Sequence, residues 1–144
     1  MKNFVFISPN YPDNYWQFCR ALKQRGLRVL GIGDVARESL RAELQQSLED
    51  YVQVESLHDH EEVRKAVAAY VTRYGPIDWL ESNNEYWLEQ DAALRSEFGV
   101  DSGFLSTDMP PVRRKSLMKT FYQQAGIPVP RCHVADGLKN CLAF

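Results

Sequence analysis

No stretch of this chain approaches the roughly 20 consecutive apolar residues that a membrane-spanning helix needs, and the opening MKNFVFISPN carries too short an apolar run for a secretory leader. Both absences lead to the expectation of a cytoplasmic protein. Cysteine is scarce: Cys19, Cys132 and Cys141 are odd in number and widely spaced, which argues against a disulfide framework and leaves no CxxC pair for a metal. Charge of one sign is also lacking. With 17 Lys and Arg against 19 Asp and Glu, the formal charge is -2, and no basic run exceeds Arg113-Arg114-Lys115. That balance gives no electrostatic case for nucleic acid or an anionic membrane surface, so any phosphate binding must be local. His58 and His60 stand together in HDHEE without a cysteine or third histidine nearby, and read as the start of a solvated helix rather than a metal site. No internal repeat and no low-complexity segment interrupts the pattern.

What is present suits a globular domain with a core of its own: 144 residues, 44% apolar and 25% charged. Phe4-Val-Phe-Ile7 is a continuous apolar run closed by Ser8-Pro9-Asn10, the pattern of a strand buried on both faces of a parallel sheet. Asp13 stands where a helix N-cap belongs, before a stripe of Trp16, Cys19, Ala21 and Leu22 that ends at Arg25-Gly26. Leu27 to Gly33 supplies a second strand, and Leu40, Leu44 and Leu48 a second helix with Ser39 as its cap. Tyr51 to Val54 reads as a third strand. Asp59-x-x-Glu62 opens a third helix carrying Val63, Val67, Tyr70, Val71 and Tyr74, which Gly75-Pro76 ends. Ile77 to Leu80 is a fourth strand, followed by Glu81-Ser-Asn-Asn-Glu85 and a helix from about Asn84 to Phe98, with Trp87, Leu88, Leu94 and Phe98 inward and Gly99 closing it.

Four strand-then-helix units predict an α/β fold: a Rossmann-like three-layer sandwich, its parallel sheet of four to five strands covered by helices on both faces, with the first strand central. Ligands of such sheets lie beyond the C-terminal strand ends, where strand order reverses. Two polar segments fall there, Ser8 to Asn14 and Glu81 to Glu85. From them Ser8, Asn10, Asn83, Asn84 and Glu85 are candidates for holding a small polar substrate or a carboxylate, while Asp13 and Asn84 equally suit plain capping roles. Gly31-Ile-Gly33-Asp-Val-Ala36 matches a loose dinucleotide pattern, G-x-G-x-x-A. It follows the second strand instead of the first, so it reads as a glycine-softened strand end. Cys132 and His133 are adjacent on an expected strand over Cys132 to Val134 and point to opposite faces, which excludes them as a dyad. No catalytic residue and no metal ligand is assigned.

Gly99 to Pro111 reads as a linker with a short helical turn, its exit fixed by Pro110-Pro111. Beyond it, KSLMKTFYQQAGIPVP is an amphipathic helix from Lys115, with Leu117, Met118, Phe121, Tyr122 and Ala125 at three- and four-residue spacing. Gly126 suits the C′ position, and Pro128 cannot continue the helix. A lysine opening a helix that closes on AGIPVP resembles the entrance to the nucleotide-binding domain of ATP-grasp ligases. WLESNNEYWLEQDAALRSEFGV likewise resembles the end of that superfamily's pre-ATP-grasp domain, where a strand runs into an Asn/Glu-rich turn and then a helix.

The resemblance implies residues 1–106 as a pre-ATP-grasp domain and 107–144 as a linker plus the first helix and strand of an ATP-grasp domain. It implies a ligase in which ATP, with Mg²⁺, phosphorylates a small-molecule carboxylate that a nucleophile then attacks, with Lys115 facing the ATP phosphates in the complete enzyme. The family's second phosphate-contacting lysine, glycine-rich lid and Mg²⁺ ligands would follow Phe144. The expectation is therefore a substrate-side fragment, inactive alone and holding no cofactor tightly, cut within the helix that opens at Gly137. The alternative is a free-standing Rossmann-like module that binds a small molecule or another protein. Tyr70, Tyr74, Tyr86 and Trp87 exceed what one small core absorbs, and with Leu117, Phe121 and Tyr122 they predict a homodimer.

Overall fold

β1 (Asn3–Ile7) is buried along its whole length because it is covered on both edges and both faces. In the computed structural model, which describes residues 1–144, β1 lies between β2 (Arg28–Gly33) and β4 (Trp79–Glu81), with β3 (Asp50–Gln53) beyond β2. Every pairing is parallel, and the register sets Val5 beside both Leu30 and Leu80. The chain divides into two compact units, Met1–Ser106 and Thr107–Phe144, and the sheet belongs to the first.

Strand alternation sorts the core into two halves. Phe4, Phe6 and Val29 pack with Cys19 of α1 (Trp16–Gln24) and with Leu40, Leu44 and Leu48 around α2 (Ala42–Ser47). Val5, Ile7, Leu30 and Ile32 pack on the opposite face with Val63, Val67 and Tyr70 of α3 (His60–Tyr74) and Leu94 of α4 (Leu88–Phe98). The fold is thus a Rossmann-like three-layer sandwich, and each fully buried Leu, Ile or Val adds roughly 1.5–3 kcal/mol of hydrophobic stabilisation. Asn3 fastens the start of β1: its side-chain amide donates to the carbonyls of Tyr74 and Pro76 at 3.0 and 2.8 Å, and its backbone N–H to Asp78 Oδ2 at 2.7 Å.

Gly31 and Gly33 owe their place to packing. A Cβ on Gly31 would stand 2.9 Å from both Leu48 Cδ1 and Tyr51 Cδ2, and one on Gly33 would collide with the Tyr51 hydroxyl. Tyr51 lies across β2 and donates from that hydroxyl to the Val35 carbonyl at 2.8 Å. These glycines leave room for a side chain of the neighbouring strand.

Several local expectations are corrected. Asp13 does not cap α1. It opens a 3₁₀ turn, Asp13–Tyr15, and its carboxylate instead meets Arg41 Nη1 at 2.7 Å. Ser39 does not cap α2 either; its Oγ turns back to the Ala36 carbonyl at 2.6 Å, while Leu40 is extended and α2 begins only at Ala42. Leu40 and Leu48 are buried from just outside the helix, so the four-residue spacing marked the core contact and overstated the helix length. A 3₁₀ turn, Glu85–Trp87, precedes α4, and Asn84 caps that turn by accepting from the Tyr86 N–H at 3.0 Å.

The second unit holds α5 (Met109–Arg113), α6 (Lys115–Gln124) and α7 (Leu138–Ala143). Pro110 and Pro111 sit in the first turn of α5, where their missing N–H groups cost nothing, so they begin a helix instead of only directing a linker. Gly126, at φ 71°, closes α6: its N–H reaches Gln123 O at 3.0 Å and the Ile127 N–H reaches Tyr122 O at 2.8 Å, the paired bonds of a Schellman end. The strand expected over Cys132 to Val134 does not form. Residues 127–137 carry no regular structure, because no neighbouring strand is present to take their backbone groups.

Candidate functional site

Two backbone departures mark the C-terminal end of the sheet. Ser8, immediately after β1, and Asn83, two residues after β4, are the non-glycine residues with positive φ, 54° and 55°. The left-handed region costs a side-chain-bearing residue roughly 1–2 kcal/mol, and such positions concentrate where loops are held for function. Both belong to loops on adjacent strands, and the Tyr11–Pro12 peptide in the first of them is cis.

The loops enclose a crevice of about 390 Å³. The β1 loop gives it Ser8, Asn10 and Tyr11, and the β2 end gives Asp34. The loop after β3 adds Leu57, and the segment after β4 adds Asn84, Tyr86 and Trp87. Ser8, Asn10 and Asn84 therefore meet in one place. Asn83 and Glu85 do not line it: both are exposed, and Asn83 uses its carbonyl to accept from the Tyr15 hydroxyl at 2.5 Å. Lys115 is the exposed first residue of α6 in the second unit.

Behind the crevice stands a polar network that the apolar periodicity of α4 concealed. Asp91 and Arg95 fall on the same face as Leu94 and are buried with it. The Ser82 backbone N–H and hydroxyl both donate to Asp91 Oδ2, at 3.0 and 2.6 Å, and Ser82 Oγ accepts from the Asn84 N–H at 3.3 Å. Arg95 donates from Nε to Leu80 O at 2.8 Å and from Nη1 to Phe104 O at 2.7 Å, and its Nη2 meets Glu81 Oε2 at 2.9 Å. Together the two side chains fix the end of β4 and the turn that presents Asn84.

Burial sets the electrostatics of this network. It pushes the Asp91 carboxyl up to about 6, against the opposing hydrogen bonds from Ser82 and the nearby Arg95 charge. Glu81 is raised for the same reason, with Arg95 again opposing. The only sequence signal for the pair was the i, i+4 spacing of an acid and a base inside an otherwise inward-facing stripe.

The crevice lining contains no lysine, arginine or histidine, and no group of three or more His, Cys, Asp or Glu side chains gathers to hold a metal ion. Cys19 is buried and its thiol is pushed up to about 12, which leaves it unreactive. The arrangement offers hydrogen bonds, one exposed carboxylate and an aromatic wall, and so is suited to binding. No helix is long and apolar enough to cross a membrane.

No protein-family model matches the sequence, and no curated protein matches it. Among solved structures, the crystal structure of an L-amino acid ligase from Bacillus licheniformis is similar, with a TM-score of 0.65 at 20% sequence identity. The match covers 90% of this chain and 32% of that one, so this chain spans about a third of the ligase's length. At that identity the likeness concerns the fold, which this α/β chain shares with part of an amino-acid ligase.

Proposed function

We propose that this chain is the substrate-side domain of an ATP-grasp ligase that activates a small carboxylic acid with ATP and Mg²⁺ and passes it to an amine or related nucleophile. The observation that carries the reading is the fold likeness over 90% of this chain to 32% of an L-amino acid ligase. It is supported by Lys115 at the head of an amphipathic helix that closes on Gly126, the segment that resembles the entrance to an ATP-grasp domain. In this reading residues 1–106 are the pre-ATP-grasp domain and 107–144 begin the nucleotide domain. Ser8, Asn10 and Asn84 contact substrate, with Asn83 and Glu85 shaping the same turn. Lys115 turns to the ATP phosphates only when the remaining walls of the nucleotide site are supplied.

The test is the reading frame beyond codon 144. A continuation that encodes a second phosphate-contacting lysine and acidic Mg²⁺ ligands, and that releases ADP from Mg²⁺-ATP when an acid and an amine are supplied together, is the expected result. A frame without them defeats the ligase reading. It would leave the second reading, a free-standing binding module, which is favoured by the crevice being built wholly from residues 8–87 of the first unit.

A further inference from the structure

We infer that the crevice over β1 and β4 receives a primary ammonium group carried on an apolar or aromatic frame, and discriminates against anions. The inference assigns this crevice to the amine of the reading above and not to the acid, and rests on that reading for the crevice being a substrate site; the charge preference comes from the lining itself.

The charged side chain in that lining is Asp34, and no basic residue offsets it. Glu85 follows Asn84 in sequence and adds a second exposed carboxylate to the same turn. His58, the neighbouring imidazole, packs edge-on against the Trp87 and Tyr86 rings at 5.0 and 5.6 Å and is not part of the lining. A carboxylate placed here would meet negative charge with no cation to compensate.

Hydrogen bonding points the same way. Asn10 Oδ1 accepts from no protein group but is covered beside Gly33, 3.3 Å from where a Cβ there would stand, so it meets a ligand donor only if the side chain turns. At the start of the 3₁₀ turn, the Tyr86 N–H that an anion would seek is already taken by Asn84 Oδ1 at 3.0 Å. The lining is also aromatic, with Tyr86 and Trp87 set edge to face at 4.7 Å. Such rings attract an ammonium through their faces and cover the apolar frame that bears it. The ammonium donates up to three hydrogen bonds, and Asp34 and Ser8 in the lining can accept them.

Amide chemical shifts of the isolated chain should be followed while 2-phenylethylammonium or its anionic counterpart 3-phenylpropionate is added at low salt. The expected result is a saturable millimolar shift at Asn10, Asp34, Asn84 and Tyr86 with the ammonium and none with the acid. Asp34→Asn, an exposed substitution that leaves the core untouched, should weaken the ammonium about fivefold, the scale of one exposed ion pair. Equal or tighter binding of 3-phenylpropionate, failure of the ammonium to saturate, or an Asp34→Asn affinity equal to that of the parent chain would each overturn the inference. Saturable ammonium binding in a protein whose reading frame lacks an ATP-grasp continuation would uphold the crevice's preference and reject the ligase.

Discussion

Asp91 is a carboxylate held where water does not reach, with Ser82 bonded to Oδ2 and no partner on Oδ1. Its folded pKa, pushed up to about 6, stands above the unfolded value, so the native state keeps its proton while the unfolded chain has lost it. The stability that Asp91 contributes is therefore complete below about pH 4 and is lost as pH rises through about 6. Asp91→Asn keeps an acceptor for Ser82 and cannot ionise. Relative to the parent chain, the variant should gain up to roughly 3 kcal/mol between pH 4 and 7, the equivalent of the shift. Glu81 is raised in the same direction and its charge helps raise Asp91, so the comparison reads the coupled pair, with burial of Asp91 as the largest cause. Urea midpoints across that range check this, and a difference that stays flat with pH contradicts the assignment.

Arg95 ties the end of β4, through Leu80 O and Glu81, to the 103–104 loop, through Phe104 O. Its guanidinium also lies 2.8 Å from where a Cβ on Gly103 would stand, so the loop closes tightly over it. Arg95→Ala should destabilise the first unit by about 3 kcal/mol, at the low end for a severed buried ion pair because Glu81 is partly exposed. Arg95→Lys should recover only part, since an ammonium cannot reproduce the fork. Amide exchange at Ser82 and Leu105 should rise in the Ala variant; unchanged exchange would show that Arg95 does not hold the turn. The strands and helices around this network were legible in the sequence because apolar period and Gly/Pro punctuation report burial directly, as at Phe4 to Ile7 and at Gly126. Asp91 and Arg95 were not, since their burial depends on Ser82 and Phe104 arriving from other segments. Asp13 and Ser39 misled for a related reason: a residue that can cap finds a better partner, Arg41 or the Ala36 carbonyl, once the chain folds. The strand expected at Cys132 to Val134 failed because a strand needs a neighbour that sequence pattern cannot guarantee.

The crevice over β1 and β4 is contained in Met1–Ser106, whereas Lys115 belongs to the unit of 107–144. On α6, Leu117, Phe121 and Tyr122 are 38%, 57% and 41% exposed, and Ile127 just beyond is 50% exposed. Of the aromatics expected to exceed the core, Tyr70 is buried in it and Tyr74 and Trp87 pack against it, which leaves Tyr86 exposed; the homodimer therefore rests as a proposal on the apolar groups around α6, and sedimentation as a clean monomer at high micromolar concentration would contradict it. Lys115 offers ATP one exposed ammonium, which supplies about 1 kcal/mol or less, while micromolar affinity requires about 8 kcal/mol. Phosphoryl transfer further requires metal and donors converging on the transferred group. Calorimetric titration of Mg²⁺-ATP into the 144-residue chain is the direct measurement. No saturable heat is expected; a micromolar dissociation constant that weakens in Lys115→Ala would show a working nucleotide site within this chain and contradict the division between a substrate side and a nucleotide side.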